Sequence, residues 1–452
     1  MAQENKRDGF ATHLGVLAAT LGSAVGLGNI WKFPALTGQN GGAGFLLIYL
    51  MATLFVALPV MISEMMLGRK ARADAIKTFR IVAPKGSPWF LVGALGVTAT
   101  VFLMGYYSDV AGWVFAYIAK SVAGGVATTD PTVASDIFNA LVSSPIQTLG
   151  WQWFVLAFVG SILIFGIAAG IERAVKILMP LLFVLLCVVC VRSLMLDGAA
   201  DAVKFLFMPD FSKVTSETVL LAMGLAFFKL TLGLGVMVTY GSYYRVDQNL
   251  PATAMRVVVC DIMISLLAGL AIFPAVFTFG FELSMGPSLL FVTIPAVFAS
   301  MPGGYIFTVI FFCLSAVAAL GAMLSLVEVP VAWFSGSCGM TRKKATITTV
   351  VMLACVGLPA TLSTSIWSDI SIFGRSIFDF YDFVSSNLLL PIGGIFTAFF
   401  VAWVWGPERT TELLSNEGTL QNQTFCKAFN FIIKWIAPLL IAIVLLQGLG
   451  VF

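Results

Sequence analysis

"FFKLTLGLG", residues 227–235, decides the fold when it is set beside "GSAVGLGN", residues 22–29. Each carries a Gly-Leu-Gly near the middle of an apolar run, one in the first such run and one in the sixth. Glycine weakens a helix, having no Cβ and the most backbone freedom to lose. One such segment alone reads as close helix packing through small residues, which is common in membranes. Two, in corresponding positions of two five-helix halves, read as discontinuous helices of an inverted repeat. Unwound backbone there offers free N–H and C=O groups to a ligand, and it is tolerated at membrane depth because it lines a cavity. Gly26 and Gly28 leave room against bare backbone, and free amides with a half-helix N-terminus favour a carboxylate. The two segments predict a midplane site for a small anionic or zwitterionic solute.

The rest of the chain agrees with that class. Of 452 residues, 59% are hydrophobic and 10% are charged, against roughly 25% charged in soluble domains. Runs of about 20 apolar residues read as transmembrane helices. Eleven spans are expected, near 13–36, 43–67, 89–119, 152–170, 175–196, 217–243, 253–280, 305–334, 346–364, 383–405 and 431–451. The fold class is all-α integral membrane, one transporter-like domain over 1–452. Residues 13–196 form its first five-helix repeat, 217–405 the second, inverted one, and 431–451 an eleventh helix. Lys6 and Arg7, the cluster Arg69 to Lys85, Arg173 and Lys176, Arg245, and Arg342 to Lys344 all fall on one side. An excess of basic residues marks the cytoplasmic side, so a multi-pass protein of the cell (plasma) membrane with a cytoplasmic N-terminus is expected.

The polar start, "MAQENKRDGFATHLGV", lacks a small-residue cleavage pattern, and no removed signal peptide is expected. Cys187 and Cys190 lie inside an apolar helix and read as packing, and the expected outer loops carry no cysteine for a disulfide framework. The net charge of +3 reflects the basic loops and says little about nucleic acid, which is not expected as a partner. The stretch "MGPSLLFVTIPAVFASMPGG", residues 285–304, is too apolar for an ordinary loop. It reads either as a membrane-dipping helical hairpin acting as a lid or as a surface helix capping the bundle. Enzyme activity is not expected: His13 is the only histidine, and no H-E-x-x-H, G-x-S-x-G or phosphate loop is present. A channel is disfavoured by two occluding broken helices.

"GSAVGLGNIWKFP", residues 22–34, followed by "NGGAGFLLIY", resembles the first-helix signature of the neurotransmitter:sodium symporter family, whose bacterial amino-acid transporters share the LeuT fold. "GYYSDVAGW", 105–113, resembles its third helix and "TYGSYYRVDQNL", 239–250, the end of its sixth. The resemblance runs from Arg7 to the end of span eleven, where the family usually has twelve spans and some bacterial members eleven. It implies alternating access and amino-acid uptake coupled to sodium; the amino acid and the lipid bilayer are the expected partners, and the sequence leaves the oligomeric state open, a monomer being one option. Carried over by motif, the substrate pocket would be Ala24, Gly26, Leu27 and Gly28, Leu103 and Tyr107, Phe228, Thr231 and Leu234, and Ala322 and Leu326. Tyr107 would hydrogen-bond the substrate carboxylate. Gly26 stands where amine-transporting relatives carry an aspartate, which favours an α-amino acid, and Leu103, Phe228, Leu234 and Leu326 favour a hydrophobic side chain.

Two departures from the family matter. Its first sodium ion is held by residues that align with Ala24, Asn29, Lys229 and Asp261. Its second is held by carbonyls that align with Gly22, Val25 and Ala318 and by two hydroxyls whose positions, aligning "AALGAMLSLVE" on Glu328, are Gly321 and Ala322. Both hydroxyls are missing, and backbone carbonyls alone make a weak site. Lys229 lies about ten residues past Val219, roughly 15 Å into the bilayer at 1.5 Å per residue. Its stem of about 6 Å reaches neither headgroup layer. A lysine at midplane costs about 2.5–3.5 kcal/mol even on low scales, so the charge needs a partner or a changed protonation state. Asp261 is the natural partner. An ammonium carries sodium's charge and addresses the same oxygens. Lys229 is therefore expected to replace the first sodium, facing Asp261, Asn29 and the substrate carboxylate; a purely structural pair is the alternative. Sodium is expected not to be required and no cofactor is expected, with an ordinary sodium symporter and a non-transporting amino-acid receptor as the competing readings.

Asp109, an acid at membrane depth, reads equally as a proton carrier or as an interhelical hydrogen bond. Lys32 and Asp382 stand at the family's outer gate pair, where the lysine lacks arginine's fork, and Phe228 closes the pocket beside them. Arg7 and Phe10 with Tyr243 stand at the inner gate, whose acidic member is replaced by Gly336. Glu64 is expected to hold the broken sixth helix. Ser265 aligns with the chloride-site serine of animal members, and with Asp261 supplying a negative charge no chloride requirement is expected.

Overall fold

The computed structural model describes residues 8–126, 128–280 and 288–451. Arg7, the first of the inner-gate candidates, lies outside them. Span one is His13–Ala24 followed by Gly28–Gln39, bent by 54° at the break between them. Span two is Ala43–Ala71, span three Phe90–Val122, span four Pro145–Leu163 and span five Ile167–Leu194. Span seven is Leu250–Phe279, span eight Gly304–Gly336, span nine Arg342–Leu362, span ten Ile377–Trp405 and span eleven Gln423–Gly448. The sixth is Ser216–Lys229, a turn, and Val236–Gly241. Among the described residues 9 helices are long and apolar enough to cross a membrane, or 10 with the bent pair as one. The sixth falls outside that count because neither of its halves, of 14 and 6 residues, is long enough alone, so the expected number of eleven is not established by length and composition.

Span eight is the axis of the bundle, its hydropathic window 83% buried, whereas span eleven is 22% buried and lies at the rim. Span three packs along span eight and span four, and span five packs along spans seven and eight.

The expected boundary between spans four and five is displaced. The charged run Glu172–Arg173 suggested a loop near 171–174, but the chain turns at Gly166, whose φ of +84° suits a residue without Cβ. Glu172 sits inside span five because its carboxylate is saturated. It accepts from the Ala11 amide at 2.6 Å, the Thr12 hydroxyl at 2.7 Å and the Lys176 ammonium at 2.6 Å. Span ten also begins earlier than expected, at Ile377, capped by the Ser376 hydroxyl. Between spans seven and eight the described chain forms one helical segment, Leu289–Ala299, with Leu289, Leu290 and Phe291 fully buried. Phe291 stacks on Phe138, centroids 5.0 Å apart, from the helix Pro131–Val142 of the span three–four loop. Residues 285–287 of the stretch lie outside the described residues, and the described part is a helix packed on the span three–four loop.

Candidate functional site

Both breaks have a local cause. In span one, Val25 leaves helical geometry at φ −93° and ψ 101°. The chain resumes at Gly28 as a wide π-type turn, Gly28–Lys32, before the α-helical Phe33–Gln39. In span six, Thr231, Gly233 and Gly235 have φ of +51°, +73° and +73°. A β-branched residue in that region is strained, and such strain concentrates at functional sites. Gly233 is obligatory twice over, since a Cβ there would collide with the Leu390 carbonyl. Its amide donates to Glu64 Oε1 at 2.7 Å, so the acid of span two does hold the broken sixth helix.

The two breaks face each other across one small cavity. Ser23, Ala24, Gly26, Gly28, Asn29, Leu103, Tyr107, Phe228, Lys229, Thr231, Ala322 and Leu326 line it. Nine residues expected in the substrate pocket are thereby brought together. Leu27 and Leu234 are not in the lining, and their side chains are fully buried elsewhere. Leu27 contributes backbone instead, its amide donating to the Tyr107 hydroxyl at 3.2 Å. Leu234 is held by its carbonyl, which accepts from Thr100 Oγ1 at 2.7 Å. A Cβ on Gly26 would stand 3.1 Å from both Tyr107 Oη and Ala322 Cβ, so glycine there is what keeps the centre open. The cavity leaves about 30 Å3 for the centres of water-sized spheres, room for one or two waters.

Phe228 is the partition above it. Its ring lines this cavity and also a larger vestibule of about 420 Å3 that contains Lys32 and Asp382. Lys32 Nζ lies 3.7 Å from the Phe228 centroid and 3.7 Å from Asp382 Oδ1, a cation shared between a π face and a carboxylate. Tyr106 and Ser386 each donate to Asp382 Oδ1 at 2.7 Å.

The opposite end is closed by Phe10, buried edge-on against Tyr240 and Tyr243, with its amide on the Tyr243 carbonyl at 3.3 Å. The Tyr243 hydroxyl donates to Glu328 at 2.6 Å, and Arg342 grips both oxygens of that carboxylate at 2.6 and 2.5 Å. This bidentate clamp was missed in the sequence, where Arg342 counted only as a basic loop residue. At Gly336, where an acid was expected by family pattern, the Asp74 carboxylate abuts the bare backbone and accepts from Ser337 Oγ at 2.8 Å. In the adjoining loop, the hydrogen bond from Arg245 holds the Asp247 carboxyl below its usual range, and His13 Nε2 lies 3.9 Å from it.

Beside the cavity, Lys229 is fully enclosed. Its ammonium donates to Asp261 Oδ2 at 3.0 Å, to Tyr49 Oη at 2.8 Å and to Ser265 Oγ. Tyr49 Oη in turn donates to Asp261 Oδ2 at 3.1 Å, and Asn29 Nδ2 to Asp261 Oδ1 at 2.7 Å. The carboxylate thus has three donors and the ammonium three acceptors, the saturation that a buried ion pair requires. Asn29 reaches Lys229 only indirectly, through Asp261 and through Ser265, whose Oγ accepts from Asn29 Nδ2 at 3.2 Å, and its Oδ1 is turned to the Gly26 amide at 3.3 Å. Tyr49 was not foreseen; it ends the quoted motif "NGGAGFLLIY" and reads there as one more apolar-run aromatic.

The residues expected at the second-sodium position pack closely together. A Cβ on Gly321 would stand 3.1 Å from the Gly22 carbonyl oxygen and 2.9 Å from the Met179 methyl, and that methyl is 3.6 Å from a Cβ on Gly22. Ala322 carries no oxygen, and Val25 and Ala318 are fully buried. Among the described residues, no group of three or more His, Cys, Asp or Glu could hold a metal ion.

A family model described as the sodium:neurotransmitter symporter family matches residues 7–136 and 141–452. The chain is 38% identical over 448 residues to an "Uncharacterized sodium-dependent transporter YhdH" of Bacillus subtilis (strain 168), covering 99% of both chains. It is 30% identical over 426 residues to an "Uncharacterized sodium-dependent transporter" of Methanocaldococcus jannaschii, covering 90% of this chain and 84% of that one. Among solved structures, MhsT in complex with L-phenylalanine superposes with a TM-score of 0.89 at 39% identity, over 98% of this chain and 100% of the other.

Proposed function

The chain belongs to the sodium:neurotransmitter symporter family, and on that premise we propose that it moves a hydrophobic amino acid across the membrane by alternating access, without sodium, using the Lys229 ammonium where relatives use the first ion. Its LeuT-type fold and multi-pass helical architecture, shared with MhsT, give the framework. The observation that carries the reading is the Lys229 ammonium on Asp261, Tyr49 and Ser265, next to the cavity it helps to line.

The charges support it. Lys229 and Asp261 cancel, a zwitterionic amino acid adds no net charge, and no charge remains to draw in a further cation. A sodium ion beside an ammonium would meet like-charge repulsion that a low-dielectric site strengthens. At the second position, the Met179 methyl and the missing hydroxyls leave three carbonyls, too few oxygens for a firm site. Asp261 also supplies the fixed negative charge for which animal relatives use chloride.

The substrate is recognised at both ends. The Tyr107 hydroxyl, already accepting from the Leu27 amide, has its own proton free for a carboxylate. Leu103, Phe228 and Leu326 present an apolar wall to the side chain, as suits a ligand such as the L-phenylalanine of the MhsT complex. A cavity of about 30 Å3 is a closed form, so substrate enters only when Phe228 and the Lys32–Asp382 pair give way. With the basic loops inside, this pair faces outward, Phe10, Tyr243, Glu328 and Arg342 form the inner closure, and the N-terminus is cytoplasmic. The test is uptake of labelled hydrophobic amino acids into liposomes holding the purified protein, in sodium and in choline. Uptake in choline at the sodium rate is expected. Binding without uptake would instead identify a receptor.

The second reading is an ordinary sodium-coupled symporter, which the names of the relatives favour. In that case the Lys229–Asp261 pair only ties spans six and seven together, and uptake stops in choline.

A further inference from the structure

Asp109 is a fully buried carboxyl that takes no part in the site above. It sits two residues past Tyr107, on the far side of span three from the cavity, about 200° around the helix. That side packs on spans four and nine. A Cβ on Gly112 would stand 2.8 Å from the Gln152 amide of span four, and one on Gly357 of span nine would stand 3.0 Å from the Gly105 carbonyl. Asp109 lies between Gly105 and Gly112 at helical spacing, so it is sealed into this three-helix seam. Its polar neighbours are the Thr361 hydroxyl and the Trp113 indole. The hydroxyl donates to the Gly357 carbonyl at 3.2 Å. Neither Asp109 oxygen is in a hydrogen bond of good geometry, and neither is the indole Nε1.

No cation compensates it. Span four carries no titratable residue, and span nine carries Cys355 along its length and Arg342, Lys343 and Lys344 only in its first turn. Arg342 is bound to Glu328 of span eight, and the two lysines are exposed. Lys77 and Arg80, on the helix Ala75–Val82 packed against the start of span three, are exposed as well. Span three itself offers only Tyr106, Tyr107, Tyr117 and Lys120, and span ten offers Asp379, Tyr381 and Asp382, of which the two acids add no cation and Asp379 is exposed. A bare carboxylate in such a wall is strongly disfavoured, and a proton removes the charge.

The position of this acid links it to the gate. One turn before it, Tyr106 donates to the gate carboxylate Asp382 at 2.7 Å. One turn after it, Trp113 stacks on Phe378, centroids 5.7 Å apart and planes 13° apart. Phe378 and Asp382 belong to the same short segment at the start of span ten. These two grips flank Asp109, while Phe102 and Gly105, earlier on span three, pack on Tyr381 of the same segment.

We propose that Asp109 is a proton-binding site whose occupancy sets the hold of span three on the gate segment Ile377–Asp382. With the proton bound, the seam of spans three, four and nine stays dry and the gate acid stays docked on Tyr106. With the proton lost, the carboxylate draws water into the seam and loosens both grips. The proposal is independent of the sodium reading, since it concerns a different face of span three, and its test runs in sodium and in choline alike.

The experiment is infrared spectroscopy on the purified protein, together with uptake of L-phenylalanine by liposomes at a series of pH values. A protonated-carboxyl band is expected in the wild type, with one component lost in Asp109→Asn; Glu64, likewise buried with one oxygen unpartnered, accounts for any remainder and is removed by Glu64→Gln. Wild-type uptake is expected to change at least tenfold across the pH range in which that band disappears, and Asp109→Asn to be flat there. Tyr106→Phe keeps the acid but cuts its link to Asp382, so it is expected to keep the band and to lose most of the pH response. A wild type with no such band, an Asp109→Asn variant with the wild-type pH profile, or a Tyr106→Phe variant that keeps the full response would overturn the proposal. The band that remains in Glu64→Gln decides the first point even if Asp109→Asn does not fold.

Discussion

Lys229 Nζ lies 3.0 Å from Asp261 Oδ2, and both side chains are sealed from solvent. Each charge is tolerable only because of the other. Removing one partner leaves an uncompensated buried charge, at a cost of about 3–5 kcal/mol, whereas removing both can be nearly neutral. Lys229→Ala and Asp261→Ala are each expected to lower the melting temperature in detergent sharply. The double variant is expected to recover much of that loss. A double variant as unstable as the sum of the singles would show that the pair is not coupled.

Restoring the family's neutral ligands should change the ion requirement. Lys229→Thr with Asp261→Asn replaces an ion pair by two oxygen donors around Asn29 and the Ala24 carbonyl. Substrate binding by this variant is expected to rise with sodium concentration. A titration in sodium against choline reads the effect directly.

Phe228 divides the central cavity from the vestibule. Phe228→Ala is expected to join the two spaces and to remove the π face under Lys32. Loss of an exposed to half-desolvated cation–π contact is worth about 0.5–2 kcal/mol, or a few-fold to some thirtyfold faster release of bound amino acid. Stopped-flow dissociation of labelled substrate is the check.

At the other end, Arg342 holds Glu328 with both nitrogens while Tyr243 adds a third donor. Arg342→Ala leaves the buried carboxylate with Tyr243 alone and without a cation. It is expected to shift the protein toward a form open at the basic end, read as faster labelling of a cysteine placed at Gly9, beside Tyr243. Arg342→Lys, which keeps the charge but not the fork, should fall between the two.

The architecture was legible in the sequence because two glycine breaks, at matching places in the first and sixth apolar helices, fit little besides an inverted repeat with unwound segments. Nine of the expected pocket residues do line one cavity. What stayed hidden follows from the same physics. The span four–five turn was misplaced because Glu172 reads as a loop charge until its partners Ala11, Thr12 and Lys176 are brought to it by the fold. Leu234 was expected to offer its side chain, but it is held by its carbonyl instead, and Leu27, placed in the pocket without a stated role, presents its amide to Tyr107. Tyr49 was missed because an apolar run gives no sign of which aromatic hydroxyl will face an ion pair. Met179 carries no polar signal at all, yet its methyl packs against both Gly22 and Gly321.

The measurement that tests the central claim most directly is equilibrium binding of hydrophobic amino acids, L-phenylalanine among them, to the purified wild-type protein in sodium and in choline buffers of equal ionic strength. With the Lys229 ammonium in the ion's place, the affinities are predicted to be equal in the two salts. A steep dependence of affinity on sodium would contradict the account and make the Lys229–Asp261 pair a structural tie in a sodium-coupled symporter.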